Sequence, residues 1–362
     1  MLILTLCMIL GVAVSCNPAE HGDDVPSRQT TIFETEKKTT MKKFDYNGRF
    51  SAEDLGYATM DWLKEEDTTY DWQYSIIEED GLYKIWWTRG NPYDVIFYAE
   101  STDLRTWTNG QEVIRITENT LWIKYMLGNP SVLRVNGTYY MYFEAPATIM
   151  DGGGECDNNV FLATSPDGID WMMYPNNKNP QPVIRMNDGD RYQGKYGVGQ
   201  PHALYVDGEF WVYYCDVGDA AAIKLAKSKD GKDFGDTKSH PTVFNRNGFG
   251  VVYYEDYDIF VGTYALDSAT ERDANIYLNF SYDGIHWMTP SYTTLNEYVV
   301  NKNAKVSTIR AFPDIVHDAH GHVSGDTLYV GYLQGSRMHL PTEDWRVTCA
   351  SWDPFFTAIK LG

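Results

Sequence analysis

From Tyr70 onward the chain is a series of short runs in which apolar and polar positions alternate, punctuated by Asp-Gly and Asn-Gly pairs. Alternation with a period of two marks a strand with one buried face. An Asn-Gly or Asp-Gly between two such runs marks a tight hairpin. Ser75-Ile76-Ile77 runs into Asp80-Gly81, Val132-Leu133-Arg134-Val135 into Asn136-Gly137, and Ala203-Leu204-Tyr205-Val206 into Asp207-Gly208. A second strand follows each turn: Leu82 to Trp87, Tyr139 to Phe143 and Phe210 to Tyr214. A fourth unit pairs Val251 to Glu255 with Ile259 to Tyr264 across Asp256-Tyr257. A fifth pairs Ile315-Val316-His317 with Leu328 to Leu333 across a loop that reaches Gly325-Asp326. No segment carries a competing helical period.

Each hairpin is followed by one recurring phrase. It starts at Ser101-Thr102-Asp103 and ends at Trp107, then returns as Ser165-Pro166-Asp167-Gly168 to Trp171, Ser228-Lys229-Asp230-Gly231 to Phe234, and Ser281-Tyr282-Asp283-Gly284 to Trp287. The frame Ser-x-Asp-x-x-x-aromatic recurs every 50 to 65 residues, roughly the length of one blade of a strand array. The phrase closes a third strand. In the fifth unit that strand is expected at Arg346 to Ser351. Fourth strands are expected at Glu112-Val113-Ile114-Arg115 and Pro182-Val183-Ile184-Arg185. The pattern predicts an all-β fold, a five-bladed β-propeller with four antiparallel strands per blade. A β-sandwich would reduce the recurrence to coincidence.

This topology separates two faces. Every tight turn falls on one of them. The long connections fall on the other: Glu144 to Asn159, Asn187 to Val198, Tyr264 to Asn275, Asn296 to Arg310 and Gln334 to Asp344. Long loops above a rigid scaffold are where binding and catalysis concentrate.

Composition adds three constraints. Aromatic residues make up 15% of the 362, which suits strands and ring-lined clefts. The formal net charge of -20 disfavours nucleic acid and anionic membrane surfaces, which select Lys and Arg clusters. Cys156, Cys215 and Cys349 are too few for a disulfide scaffold, and no Cys-x-x-Cys or His-x-x-x-His spacing suggests zinc. No resident cofactor is expected. The acidic loop from Asp151 to Asp157 lacks the EF-hand pattern but offers oxygen ligands of the kind Ca²⁺ takes.

The N-terminus reads as a processing segment. Leu2 to Val14 has the length of a signal h-region and is too short to span a bilayer. It ends in Ala13-Val14-Ser15-Cys16, which resembles a bacterial lipoprotein cleavage box with Cys16 as the lipidated residue, although no positive charge beyond Met1 precedes it. A plain secretory signal is the other reading. Residues 1–16 are thus expected as leader, 17–43 as a polar tether and 44–362 as the propeller. This organisation implies a protein of the cell envelope, periplasmic or at the cell surface, that meets the membrane only through an N-terminal lipid.

Asn129-Pro130-Ser131-Val132, Tyr139-Tyr140-Met141-Tyr142 and the Ala-x-Ser-x-Asp-Gly-x-x-Trp phrase carry a resemblance. Over about residues 60 to 355 the chain resembles the five-bladed glycoside hydrolases of the arabinanase/β-xylosidase and invertase-like group. The resemblance implies three carboxylates at the starts of the first three inner strands, acting as base, pKa tuner and acid. Counting back the same distance from Gly81, Gly137 and Gly208 reaches Gln73, Asn129 and Gln200, all amides. An amide exchanges no proton near neutral pH but does bind sugar hydroxyls.

Other acids on the same face can supply the chemistry. Asp71 lies two residues before Gln73, where a bulge would bring it to the mouth. Glu144 ends the second strand of blade two, Asp216 ends that of blade three, and Asp314 is expected to start the inner strand of blade five. Glycoside hydrolysis needs two carboxyl groups, one with a raised pKa. Glu144 is assigned as acid and Asp71 as base, with Asp216 as a third catalytic candidate. Gln73, Arg89, Asn129, Gln200, His202, Arg310 and Asp314 are candidate substrate-binding residues. Trp72, Trp86, Trp87 and Trp122 could stack on sugar rings or pack the core. The expected function is an extracytoplasmic, monomeric glycoside hydrolase acting on an oligo- or polysaccharide, a plant-type or other complex glycan. The alternative is a glycan-binding propeller without hydrolysis.

Overall fold

The computed structural model describes residues 51–60, 70–90, 93–149, 155–216, 222–244, 249–265, 276–288, 293–294, 308–336 and 353–360. Apart from two short 3-10 turns, the regular structure of the described chain is all strand, arranged as five sheets. After β1 (Ser51–Tyr57), blade one is β2 (Tyr70–Glu79), β3 (Leu82–Gly90), β4 (Asp94–Ser101) and β5 (Thr108–Ile114). Blade two is β6 (Gly128–Val135), β7 (Thr138–Ile149), β8 (Glu155–Ser165) and β10 (Pro182–Ile184), with the short β9 (Met172–Met173) also on β8. Blade three is β11 (Val198–Val206), β12 (Glu209–Asp216), β13 (Ala222–Ser228) and β14 (Thr242–Phe244). Blade four is β15 (Gly250–Tyr254), β16 (Ile259–Ala265), β17 (Ile276–Ser281) and β18 (Thr293–Thr294). Blade five is β19 (Thr308–Ile315), β21 (Thr327–Ser336) and β22 (Asp353–Lys360), while β20 (His322–Val323) pairs in parallel with β15.

Blade five departs from expectation in two ways. Its third strand is Asp353–Lys360, paired antiparallel with β21 from Thr327↔Lys360 to Gln334↔Asp353. The expected segment, Arg346 to Ser351, lies outside the described residues. Its fourth strand comes from the other end of the chain, because β1 pairs with β22 from Ser51↔Lys360 to Tyr57↔Phe355. The ring is therefore closed by backbone hydrogen bonds between its termini, and neither β1 nor β22 is left as an open edge toward the other.

The recurring phrase is the joint between blades. In each copy the Asp carboxylate accepts two backbone N–H groups of its own turn: Asp167 from Ile169 and Asp170 at 2.9 and 2.8 Å, Asp230 from Lys232 and Asp233 at 2.9 and 3.0 Å. Those bonds favour the charged form and hold both carboxyls below the ordinary aspartate value. The Ser hydroxyl donates to the Asp and accepts the next Gly N–H. The Gly carbonyl is then free to accept from an aromatic of the preceding blade. Trp86 reaches Gly168 at 2.8 Å, Tyr142 reaches Gly231 at 2.9 Å and Tyr213 reaches Gly284 at 3.0 Å. The glycines sit at φ +85, +72 and +71°, and a Cβ on Gly284 would lie 2.5 Å from the Tyr213 hydroxyl. The first copy has Leu104 in place of glycine, at φ +61°.

Between neighbouring blades lie five apolar clusters. Trp86, Tyr98, Tyr139 and Phe161 join blades one and two, and Tyr142, Val160, Phe210 and Tyr214 join two and three. Trp72, Trp86 and Trp87 are all buried in these clusters, so they pack the core. The guanidinium groups of Arg185 and Arg191 lie over the Trp122 ring, at 4.5 and 4.6 Å.

The segment after β19 closes the tight-turn side of the central channel. His317 bonds to Ile76 and Glu78 of blade one, and the Ala319 carbonyl accepts from Arg134 of blade two. The His320 carbonyl accepts from Tyr205 of blade three, and Gly321 and Val323 accept from Tyr253 and Glu255 of blade four. This strap satisfies backbone groups of four blades in turn.

Candidate functional site

The mouth lies at the other, loop-bearing end of the channel. The inner strands of blades one, two, three and five each shift register there: between Trp72 and Tyr74, Gly128 and Ser131, Gly199 and His202, and Ala311 and Asp314. Three of the shifts hold a proline, Pro130, Pro201 and Pro313, which cannot donate to a ladder. Asn129 and Gln200, each just before its proline, adopt φ +53 and +50°. Side chains that a regular strand would send between blades are re-aimed by these irregularities.

Glu144 is the central group. It stands on β7 opposite Gly128, buried, and its Oε2 accepts from the Tyr196 hydroxyl and the Gln200 N–H, both at 2.6 Å. Burial pushes its pKa up to about 7 against these two hydrogen bonds. The charge of Asp94 adds to the rise, and a hydrogen bond from Asn129 opposes it. A Cβ on Gly199 would overlap the same carboxylate, so only glycine fits there.

Asp71 belongs to a separate ion pair. Nη1 of Arg89 lies 3.1 Å from each of its oxygens, and Trp87 donates to it at 2.8 Å. Thr88, between those two partners in sequence, accepts the Asn129 N–H at 2.6 Å, and the Asn129 side chain in turn bonds to Glu144. Asp216 is paired with Lys224 at 2.9 Å, both buried. It stands opposite Val198, next to the Gly199 that touches Glu144, and the charges of Glu144 and Asp216 both add to the burial that raises the Cys215 thiol. Glu144 and Asp216 thus occupy the same end of the molecule.

Gln73, His202 and Asp314 form a stack across the channel. The Gln73 amide nitrogen donates to the Pro201 carbonyl at 3.2 Å, which fixes the amide's orientation. The same nitrogen lies 3.2 Å from His202 Nε2, which must therefore be the unprotonated ring nitrogen. His202 Nδ1 lies 3.8 Å from Asp314 Oδ1. Burial lowers His202 to about 3 and raises Asp314 to about 8, so near neutral pH both are uncharged and this contact is no ion pair. Asp314 is the penultimate residue of β19 and does not start it, because the inner strand begins seven residues earlier than the alternation alone marked, at Thr308 rather than Ile315. Arg310, on β19, stands opposite Gln334 of β21, and its side chain lies outside the described residues. So do residues 150–154 of the acidic loop. The loop's Asp157 is buried and accepts from Thr148 and from the Tyr192 N–H.

The alternation did not single out Asp94 or Tyr196. Asp94 opens β4 at the loop end of the β3–β4 hairpin, on the face the topology had already marked, so the face rule applied to every acid would have found it. Tyr196 lies in a crossing without any pattern. The rim adds Tyr93 stacked on Tyr125 at 5.4 Å and Tyr192, which is 72% exposed.

Five sheets around a channel, with one plugged end and one carboxylate-bearing mouth, define a five-bladed β-propeller of the architecture found in glycoside hydrolases. Solved structures with this fold include a family 117 glycoside hydrolase from the marine bacterium Zobellia galactanivorans, at TM-score 0.63 and 15% identity over 86% of this chain and 91% of that one. They also include an α-L-arabinofuranosidase from Podospora anserina in complex with cellotriose, at 0.59 and 12% over 86% and 96%. A third is an endo-arabinase from Bacteroides thetaiotaomicron, at 0.54 and 14% over 80% and 94%. No protein-family model and no curated protein sequence matches the chain.

Proposed function

We propose that the chain is an extracytoplasmic glycoside hydrolase that cleaves a plant-type or other complex glycan by carboxylate acid/base catalysis. The carrying observation is Glu144, a buried carboxyl at the mouth whose pKa of about 7 lets it hold a proton at the working pH. Glu144 gives that proton to the glycosidic oxygen as the bond to the anomeric carbon breaks. Asp71 takes a proton from the water that adds to that carbon. Asp94 acts as the tuning carboxylate. Asp216, neutralised by Lys224, fixes the end of β12 beside Glu144. Asn129, Gln200, Arg89 and Arg310 bind hydroxyls, and Tyr125 and Tyr192 offer ring faces to sugars at the rim. The glycoside hydrolases among the solved neighbours support the reaction class.

The test is release of reducing sugar from a panel of aryl-glycosides and polysaccharides. Asp94→Asn removes a negative charge that raises Glu144, so the acid's pKa falls. The alkaline limb of kcat/KM is then expected to move below its wild-type position near pH 7. An unmoved limb rejects the Glu144–Asp94 assignment. A second reading, glycan binding without hydrolysis, rests on the amides Gln73, Asn129 and Gln200. Saturable glycan binding without sugar release from any substrate would favour it.

The protein acts as a monomer on the cell envelope, held by a lipid on Cys16, with residues 17–43 as its tether. Cys16→Ser is expected to move it from the membrane to the soluble fraction on cell fractionation. A variant that stays membrane-bound rejects the anchor.

A further inference from the structure

We infer that the rear strap carries a site for a divalent transition-metal cation of the zinc class, formed by Asp318, His320 and His322 with Glu255 beside them. One potential ligand atom from each of the first three lies within 4.8 Å of the others. Tetrahedral zinc, with bonds of about 2.0–2.2 Å, needs its ligands about 3.4 Å apart. Side-chain rotations of about 1 Å at this half-exposed surface close that gap.

The hydrogen bonds point to an ion. Nε2 of His322 lies 2.8 Å from the Tyr205 carbonyl, an acceptor only, so Nε2 must carry the hydrogen. In the neutral ring, Nδ1 is then a bare lone pair, and it faces Glu255 Oε1 at 2.8 Å. Two acceptors at that distance repel unless a positive charge sits with them. An imidazole whose far N–H donates to a backbone carbonyl is the arrangement metal-bound histidines use to fix their tautomer. Asp318 Oδ1 accepts the His320 and His322 N–H groups at 2.8 and 2.9 Å, which orients the carboxylate toward both rings. The His320 ring lies against Tyr205 and His322, and its nitrogens make no hydrogen bond among the described residues. Two imidazoles with carboxylates suit zinc better than calcium or magnesium, which take oxygen ligands.

The backbone is pre-organised for this. The strap is bonded to four blades, and Gly321, between the two histidines, packs so closely on Leu204 that a Cβ would lie 2.6 Å from its side chain. A cation there would tie the strap to blade four through Glu255 without touching the mouth.

The test titrates Co²⁺ and then Zn²⁺ into untagged, chelator-treated full-length protein. Binding is read from the visible absorption of tetrahedral cobalt and from calorimetry. One Co²⁺ per chain is expected, displaced by Zn²⁺, with affinity reduced at least 10-fold in both His320→Ala and His322→Ala. Zinc should raise the melting temperature of the wild type and not of either variant. Glu144→Gln should bind as the wild type does. A protonated His322 paired with Glu255 explains the 2.8 Å contact without metal. In that case no cobalt band appears, or binding survives His320→Ala, and either result overturns the site.

Discussion

Glu144→Gln is expected to lower turnover by about 10²–10⁴-fold, the usual contribution of a general acid, while leaving the fold intact or more stable. The glutamine carbonyl can still accept from Tyr196 and from the Gln200 N–H, since both bonds fall on one oxygen. What it cannot do is give up a proton. The stability sign follows from the raised pKa. Between about pH 4.5 and 7 the folded protein keeps the Glu144 proton that the unfolded chain loses. Stability therefore falls as pH rises through that window, and above it the cost is on the order of 3 kcal/mol. Glutamine carries no such cost, so the variant should melt at the same temperature as the wild type near pH 4 and at a higher one near pH 8. Sugar-release kinetics and a melting series across that range check both halves. Unchanged turnover eliminates Glu144 as the acid.

The second large effect is on the scaffold. Trp86→Ala is expected to cost about 3–5 kcal/mol, read as a lowered midpoint in urea unfolding. Trp86 is fully buried, packs against Tyr98, Tyr139 and Trp171, and donates to the Gly168 carbonyl. Its removal leaves a cavity and takes away the interblade hydrogen bond to the Gly168 carbonyl, which then keeps only its bond from Trp171 within the same turn. Trp86→Phe keeps much of the volume and loses the hydrogen bond, so it should fall between the two. A loss under about 1 kcal/mol for the alanine would mean that the recurring turn does not lock the blades.

The hairpins were legible because each is local. Asp80-Gly81, Asn136-Gly137 and Asp207-Gly208 connect strands a few residues apart, and φ is positive at all six positions. The Ser-x-Asp turns were legible for the same reason, since their hydrogen bonds lie within five residues. β1 was not. Its seven residues include Glu53, Asp54 and Gly56, and its partner β22 lies about 300 positions away, where no local pattern reaches. The strap was equally hidden, because its bonds go to other blades and leave no periodicity of its own.

The site divides along the same line. Glu144 and Asp71 were legible as acids on the loop-rich face, but Glu144 does not end its strand: β7 runs on to Ile149 and pairs with β8 over part of the segment read as a long connection. Their environments were not: that Asp71 is paired with Arg89, that Asp216 is paired with Lys224, and that Asp94 is the carboxylate Glu144 feels. A pKa depends on burial and on charges brought close through space, and for Glu144 these come from blades one, two and three together.

The sequence by itself determined the strands, their turns, the number of blades and the face on which the acids gather, because alternation and turn chemistry act between near neighbours. Only the tertiary structure decided which acid is buried, which is neutralised and how the ring and its rear are closed. Those outcomes depend on contacts between blades distant in sequence, and on an electrostatic environment that exists only once the blades are packed.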